Sequence, residues 1–434
     1  MKKPILLSGL ALMAMLLCVS CQYNEDNPSG PVTPIHEGHE YVDLGLPSGA
    51  LWSTDELEVN GSRFFAWGET EPKVKYTSGT YMLQDGEDNT LTKYCTDEKS
   101  GKDGFIDGLI ELLPSDDPAH VHWGGKWRMP TSLELEELYE GCTWKAVQAE
   151  DGVYSFVGTS KTNGKQIVVP TSGLIQNETI SYKDNAAYYW SSTLTVDDCM
   201  RVAGLSFSPQ SINYKTGKRP MGHCVRPVIP GNRNLLLYVD LGLPSGVKWA
   251  RYNVGAYTPE GTGLYLSWGE VLPKPADKYD MTMEDSPYKF GGLKSITKYC
   301  TNPDHGTVDD KMVLDLEDDA AYRYLGEGWR MPTKAQIQEL LDNCTWEFDA
   351  EKIGQIVTGP NGNSIFLPCR GAKYQGAIEY ENERGFFWGC ELDDVDGDWY
   401  ANGLFIGKRS DVHMQGSKFT RCSGRSIRGV YTGK

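Results

Sequence analysis

Side chains alternate along residues 41–46: Val42, Leu44 and Leu46 are apolar and share one side, while Tyr41, Asp43 and Gly45 share the other. A period of two with Pro47-Ser-Gly49 behind it predicts a half-buried strand closed by a turn. Further strands are expected at Phe64-Phe-Ala-Trp67, Gln166-Ile-Val-Val-Pro170 and Tyr189-Trp-Ser-Ser192. Between them the period lengthens to that of a helix. Thr131 precedes Glu134 by three residues, so the hydroxyl takes an orphan N–H while the carboxylate reaches back to the cap. Leu135, Leu138 and Tyr139 then supply one apolar stripe. A shorter helix is expected to start at Asp117-Pro118, with proline at its first position. Residues 70–91 are polar and read as a loop.

The same elements return roughly 200 residues later, a spacing too long for a solenoid unit. Tyr41-Val-Asp-Leu-Gly-Leu-Pro-Ser-Gly49 recurs as Tyr238-Val-Asp-Leu-Gly-Leu-Pro-Ser-Gly246, and Trp67-Gly-Glu69 as Trp268-Gly-Glu270. Thr92-Lys-Tyr-Cys-Thr96 recurs as Thr297-Lys-Tyr-Cys-Thr301, Trp127-Arg-Met-Pro-Thr131 as Trp329-Arg-Met-Pro-Thr333, and Cys142-Thr-Trp144 as Cys344-Thr-Trp346. The second capping box pairs Thr333 with Gln336, and Asp319 opens the second short helix. Two tandem domains follow, at 39–229 and 236–431, each owning a core. Each is expected to hold two helices, short antiparallel strands and long loops. Few residues separate the copies, so they are expected to sit close together. Positions kept in both copies serve the fold; positions that differ are where a specific ligand would be read.

The chain begins as an exported protein does. Lys2 and Lys3 precede a short apolar run, and residues 1–20 read as a signal peptide. The run ends at Cys21, the expected lipidation site, because a small residue before a cysteine resembles a bacterial lipobox. Residues 21–38 are polar and proline-rich, the composition of a flexible tether. Glu25-Asp26 resembles the export signal of surface lipoproteins in gut-type Gram-negative bacteria. The outer membrane, reached through the N-terminal lipid, is thus the expected location, with exposure on the cell surface.

A net charge of −17, from 42 basic and 59 acidic residues, disfavours nucleic acid as a partner. Eleven cysteines in an exported chain make disulfides an expectation. Cys95 with Cys142, and Cys300 with Cys344, are the candidate pairs; the alternative is four buried thiols.

The five recurring motifs together resemble the fibrobacter-type major paralogous domain, which is related to the C-type-lectin-like fold and recurs in surface lipoproteins of gut bacteria. That resemblance covers both copies and implies an α+β fold, two tandem C-type-lectin-like domains whose first and last strands lie close together. Trp-Arg-Met-Pro-Thr is also similar to a stretch of formylglycine-generating and other sulfatase-modifying enzymes. Those enzymes need a late cysteine pair, whereas Cys199, Cys224, Cys369, Cys390 and Cys422 fall at different places in the two copies.

No catalytic constellation is expected. Ten of the twelve tryptophans have counterparts and are assigned to the core. Trp399 has none, and it lies in Leu392-Asp-Asp-Val-Asp-Gly-Asp-Trp-Tyr400. Trp399, Tyr400, Asp396 and Asp398 are therefore the candidate ligand contacts. Asp394, Asp396 and Asp398 are the candidate ligands of calcium, the one cofactor considered. The expected role is non-catalytic binding or adhesion, towards glycans or host protein. The alternatives are an enzyme related to formylglycine generators and a structural subunit of a surface appendage.

Overall fold

The computed structural model describes residues 33–86, 90–282, 287–395, 397–408, 411–415 and 420–433. The predicted lipidation site Cys21, the signal peptide and most of the tether lie outside the described residues. The fold is α+β: five α-helices among the described residues accompany many antiparallel strands in small sheets.

Each repeat is assembled from the same parts in the same order. In the first, strand His39–Asp43 pairs with Leu51–Ser53, which pairs in turn with Val228–Ile229, so the start and end of the repeat share one sheet. In the second, Lys248–Ala250 lies between Tyr238–Val239 and Val430–Tyr431. The predicted strand over 41–46 stops at Asp43 for a local reason. The Asp43 carboxylate accepts the Gly45 N–H at 2.8 Å, and Asp240 accepts the Gly242 N–H at 2.9 Å, turning the chain out of the sheet. Leu44 and Leu46 still enter the core.

The helices begin where the capping residues placed them. Helix α1 (Pro118–Trp123) is capped by Asp117 and α2 (Ser132–Gly141) by Thr131, with both halves of its capping box formed. A short α3 (Asn234–Leu237) links the repeats, followed by α4 (Ala320–Leu325) and α5 (Lys334–Asn343), capped by Asp319 and Thr333. Such a cap stabilises a helix by about 1 kcal/mol. The Pro-Ser-Gly turn docks on the second helix of its own repeat. Ser48 N and Oγ donate to Glu137 at 2.7 and 2.6 Å, and Ser245 does the same to Glu339.

Aromatic segments 64–67 and 264–268 are not strands. Each makes single bridges, Phe65 with His223 and Leu266 with Arg425, while its aromatic side chains enter the core. Eight of the ten matched tryptophans are fully buried; Trp144 and Trp346 are only half-buried, on strands at the outside of each repeat. Buried arginines close the units. Arg226 donates to the Val168 carbonyl at 2.8 Å and to the Ser53 and Thr54 carbonyls, and Arg428 donates to those of Phe366, Ala250 and Arg251.

The repeats pack against each other as their short connection requires. Leu133 of α2 joins a cluster with Leu237, Ala250 and Trp329, and Ile110 and Val196 pack on the second core. Polar contacts rim this contact: Tyr252 donates to Glu136 at 3.0 Å, and Arg233 meets Glu111 at 2.5 Å. Gly108 is at φ +65°, and a Cβ there would lie 2.9 Å from Pro273 and 3.0 Å from Leu272. Only glycine combines that backbone with so close an approach.

Candidate functional site

The loop expected to hold a ligand belongs instead to the framework of the second repeat. Asp398 is 4% exposed. Its oxygens accept the Thr301 N–H at 2.7 Å, the Thr301 hydroxyl at 3.0 Å, the Asn302 N–H at 3.1 Å and His305 Nδ1 at 2.7 Å. Burial alone would raise this carboxyl, but the Thr301 and His305 hydrogen bonds outweigh it and hold Asp398 below the usual carboxylate range. Asp394 is exposed and pairs with Lys334, and Asp396 lies outside the described residues. Asp394 and Asp398 therefore spend their oxygens on different partners rather than on a shared calcium position.

Trp399 is half-buried. Its ring lies 4.2 Å from that of His305, and its Nε1 donates to the Leu293 carbonyl at 3.1 Å. Tyr400 is half-buried and bridges to Thr420. Among the described residues, the acids close enough to share an ion are Asp315, Glu317 and Asp318. Lys298 reaches these three at 2.6, 3.0 and 2.7 Å, and Asp318 also takes the Tyr299 hydroxyl at 2.6 Å. That cluster anchors the Lys-Tyr-Cys-Thr motif.

The predicted disulfides do not form. Cys95 lies in the core around Trp67 and Trp190, and Cys142 in the core around Trp52. Cys300 is buried with its thiol on the Asn302 carbonyl at 3.2 Å, whereas Cys344 packs on the core around Trp249. All four are thiols, and the one facing Cys95 is Cys199.

What the repeats do share is a cleft. In each, a small hairpin stands over the face of a three-stranded sheet, and the open space lies between them. In the first repeat the hairpin is Leu174–Gln176 with Thr179–Ser181, and the sheet comprises Ala187–Leu194, Arg201–Ser208 and Ser211–Lys218. In the second the hairpin is Ala372–Tyr374 with Ala377–Glu379, over Gly385–Leu392, Ala401–Ile406 and Val412–Gln415. The cavities measure about 320 and 570 Å³.

Their linings differ. Tyr188 in the first cleft corresponds to Phe386 in the second, and His223 to Arg425, as the matching bridges of Tyr189 with Cys224 and Phe387 with Ser426 show. The first cleft has Arg201, Lys215 and Lys218 on its walls and no carboxylate. The second carries Glu379 and Asp411 beside Arg384 and Arg425, with Tyr374, Tyr380, Phe386 and Phe405. Arg384 lies 4.2 Å from the centre of the Tyr380 ring, and Arg425 lies 4.8 Å from that of Phe386. Burial pushes the Arg425 guanidinium down to about 9.

His223 is the unusual member of the first cleft. It is 6% exposed, it stacks on Trp190 at 3.7 Å, and neither ring nitrogen has a hydrogen-bond partner in the protein. Burial lowers its pKa to about 3, so the ring is neutral. The sequence carries no signal for this site beyond the disagreement of the two copies at 223 and 425. A larger groove of about 840 Å³ in the first repeat contains Glu56, but that carboxylate already takes Ser172 at 2.9 Å, Tyr189 at 2.5 Å and Arg63 at 3.4 Å.

Fold and clefts together define an α+β protein made of two copies of one unit, each with an opening at the same place. No family model, curated protein or solved structure matches the chain. Among the described residues no helix is long and apolar enough to cross a membrane.

Proposed function

We propose that this chain is a non-catalytic binding protein with one ligand cleft in each of two C-type-lectin-like repeats. A lipid on Cys21 would anchor it to the outer membrane, with the repeats displayed at the cell surface. The observation that carries the reading is the recurrence of the cleft at one position with different linings. A duplicated unit keeps its framework residues, and side chains that diverge around a retained opening are what two ligand specificities require. Half-buried aromatic rings beside polar groups suit a glycan, with host protein the other ligand class.

The test is a glycan array probed with the full chain in detergent, with and without calcium, beside Tyr188→Ala and Phe405→Ala. Binding that survives both substitutions, or no binding at all by a folded chain, would sink the reading. Loss of acyl labelling in Cys21→Ala would check the anchor separately.

A further inference from the structure

We propose that the first cleft takes a negatively charged sugar, a saccharide bearing carboxylate or sulfate groups. This rests on the reading of the clefts as ligand sites and adds the chemistry of one of them.

Charge is the first argument. The chain carries a net −17, yet Arg201, Lys215 and Lys218 line this cleft without a carboxylate among the lining residues. Arg201 is held in place by Thr216, its Nε on the hydroxyl at 2.8 Å and its Nη2 on the carbonyl at 2.7 Å. In an acidic protein such a wall is a local attraction for an anion, and low-dielectric surroundings focus it. The second cleft is the internal contrast, since its arginines share the space with Glu379 and Asp411.

His223 is the second distinguishing residue of this cleft. A buried polar group without a partner is costly, by roughly 1–3 kcal/mol. Held neutral, the ring keeps one N–H donor and one acceptor nitrogen, both closed off from solvent in this structure, so a sugar hydroxyl, which donates and accepts, would meet them as the strand above yields. Tyr188 lies 5.6 Å from His223, half-buried, and supplies a ring face for the apolar side of a pyranose. Gly217 lets its strand close down on the stacked pair, since a Cβ there would lie 2.6 Å from Trp190 and 2.7 Å from His223. A carboxylate or sulfate on the sugar would reach the cations while its hydroxyls reach His223, an arrangement that neither an inorganic ion nor a neutral glycan would satisfy in full.

The experiment is calorimetric titration of the full chain in detergent with three probes: oligogalacturonate, a sulfated dextran oligosaccharide and an uncharged malto-oligosaccharide. The variants are Lys215→Gln with Lys218→Gln, His223→Phe and Tyr188→Ala, each checked for folding by circular dichroism. The expected result is that a charged probe binds and the neutral one does not. The double lysine variant should weaken that binding about tenfold, as should raised salt. His223→Phe should weaken it further. Preference between the carboxylated and sulfated probes identifies the source of the charge. Equal binding of neutral and charged probes, lost in Tyr188→Ala, would overturn the charge inference and leave the cleft reading standing. Charged-probe binding indifferent to every variant would overturn the inference by placing it elsewhere. A folded chain that binds none of the probes would overturn the inference, while the wider array alone decides the cleft reading.

Discussion

Cys199 in the first repeat stands where Asp398 stands in the second. Leu194 pairs with Val202 and Leu392 with Ala401, so each residue lies in the loop that joins the same two strands. The Thr301 N–H donates to Asp398 in one copy, and the Thr96 N–H points at the Cys199 sulfur in the other. A carboxylate and a thiol thus do the same job, tying the Lys-Tyr-Cys-Thr loop to the end of the sheet. The first repeat thereby gains a neighbour for Cys95 that the second has no equivalent of.

That pairing predicts where oxidation falls. Hydrogen bonds from Cys95 and from Thr96 favour the Cys199 thiolate, which is the species that attacks a disulfide. With oxidised glutathione, Cys199 would displace one glutathione as thiolate and form a mixed disulfide; Cys95 would then displace the second. Peptide mapping after alkylation should recover Cys95 joined to Cys199, with Cys142 alkylated. A Cys95–Cys142 peptide would show the pairing expected from the recurring cysteines to be right.

Removing the carboxylate should damage the second repeat. Asp398→Ala leaves the Thr301 and Asn302 N–H groups and His305 without their acceptor, at a cost of roughly 2–4 kcal/mol. Urea unfolding followed by tryptophan fluorescence would measure it. Calcium should leave the midpoint of the unaltered chain where it is; an upward shift that Asp398→Ala abolishes would restore the calcium reading.

Acid should open the second repeat first. Asp280, Asp309, Asp318 and Asp398 are held below the usual range because hydrogen bonds outweigh burial, and Lys298 and Lys311 hold Asp315 at about 2. For these groups the unfolded chain binds more protons, so their stabilisation is present above about pH 4 and lost as pH falls through the folded values. In the first repeat burial raises Asp117, Glu136, Glu137 and Asp197, which reverses the sign. Limited pepsin digestion near pH 3 should cut first within 236–431; first cuts within 39–229 would contradict the assignment.

The contact between repeats has a single-residue test. Gly108→Val meets both a positive φ and a close neighbour across the interface, and should cost roughly 2–4 kcal/mol. Urea unfolding is expected to separate into two steps as the repeats uncouple. One unchanged transition would mean that the interface yields without cost.

The framework was legible in the sequence because it depends on local rules. Capping boxes at Thr131 and Thr333 and the aspartates at 117 and 319 set the helix starts, and alternation put Leu44 and Leu46 inside. Where local rules met tertiary packing they failed. Aromatic runs at 64–67 and 264–268 looked like strands but gained no ladder, because their neighbours across the core offer single bridges.

The candidate site was not legible. An acidic, glycine-containing loop with an unmatched tryptophan looked like a ligand site, yet Asp398 is consumed by the Thr301 loop, nearly a hundred residues earlier in the chain. His223 gave no such signal. Only the fold stacks it on Trp190, beneath a strand that Gly217 allows to approach closely, and strips both nitrogens of partners.

The sequence by itself determined that one unit is built twice, where its helices start and which side of each strand is apolar, because those follow from neighbours three or four positions away. Tertiary structure alone decided which thiols meet, which carboxylates are spent, and where the clefts open. Those outcomes depend on segments far apart in the chain being brought within hydrogen-bonding distance, a property that no local pattern encodes.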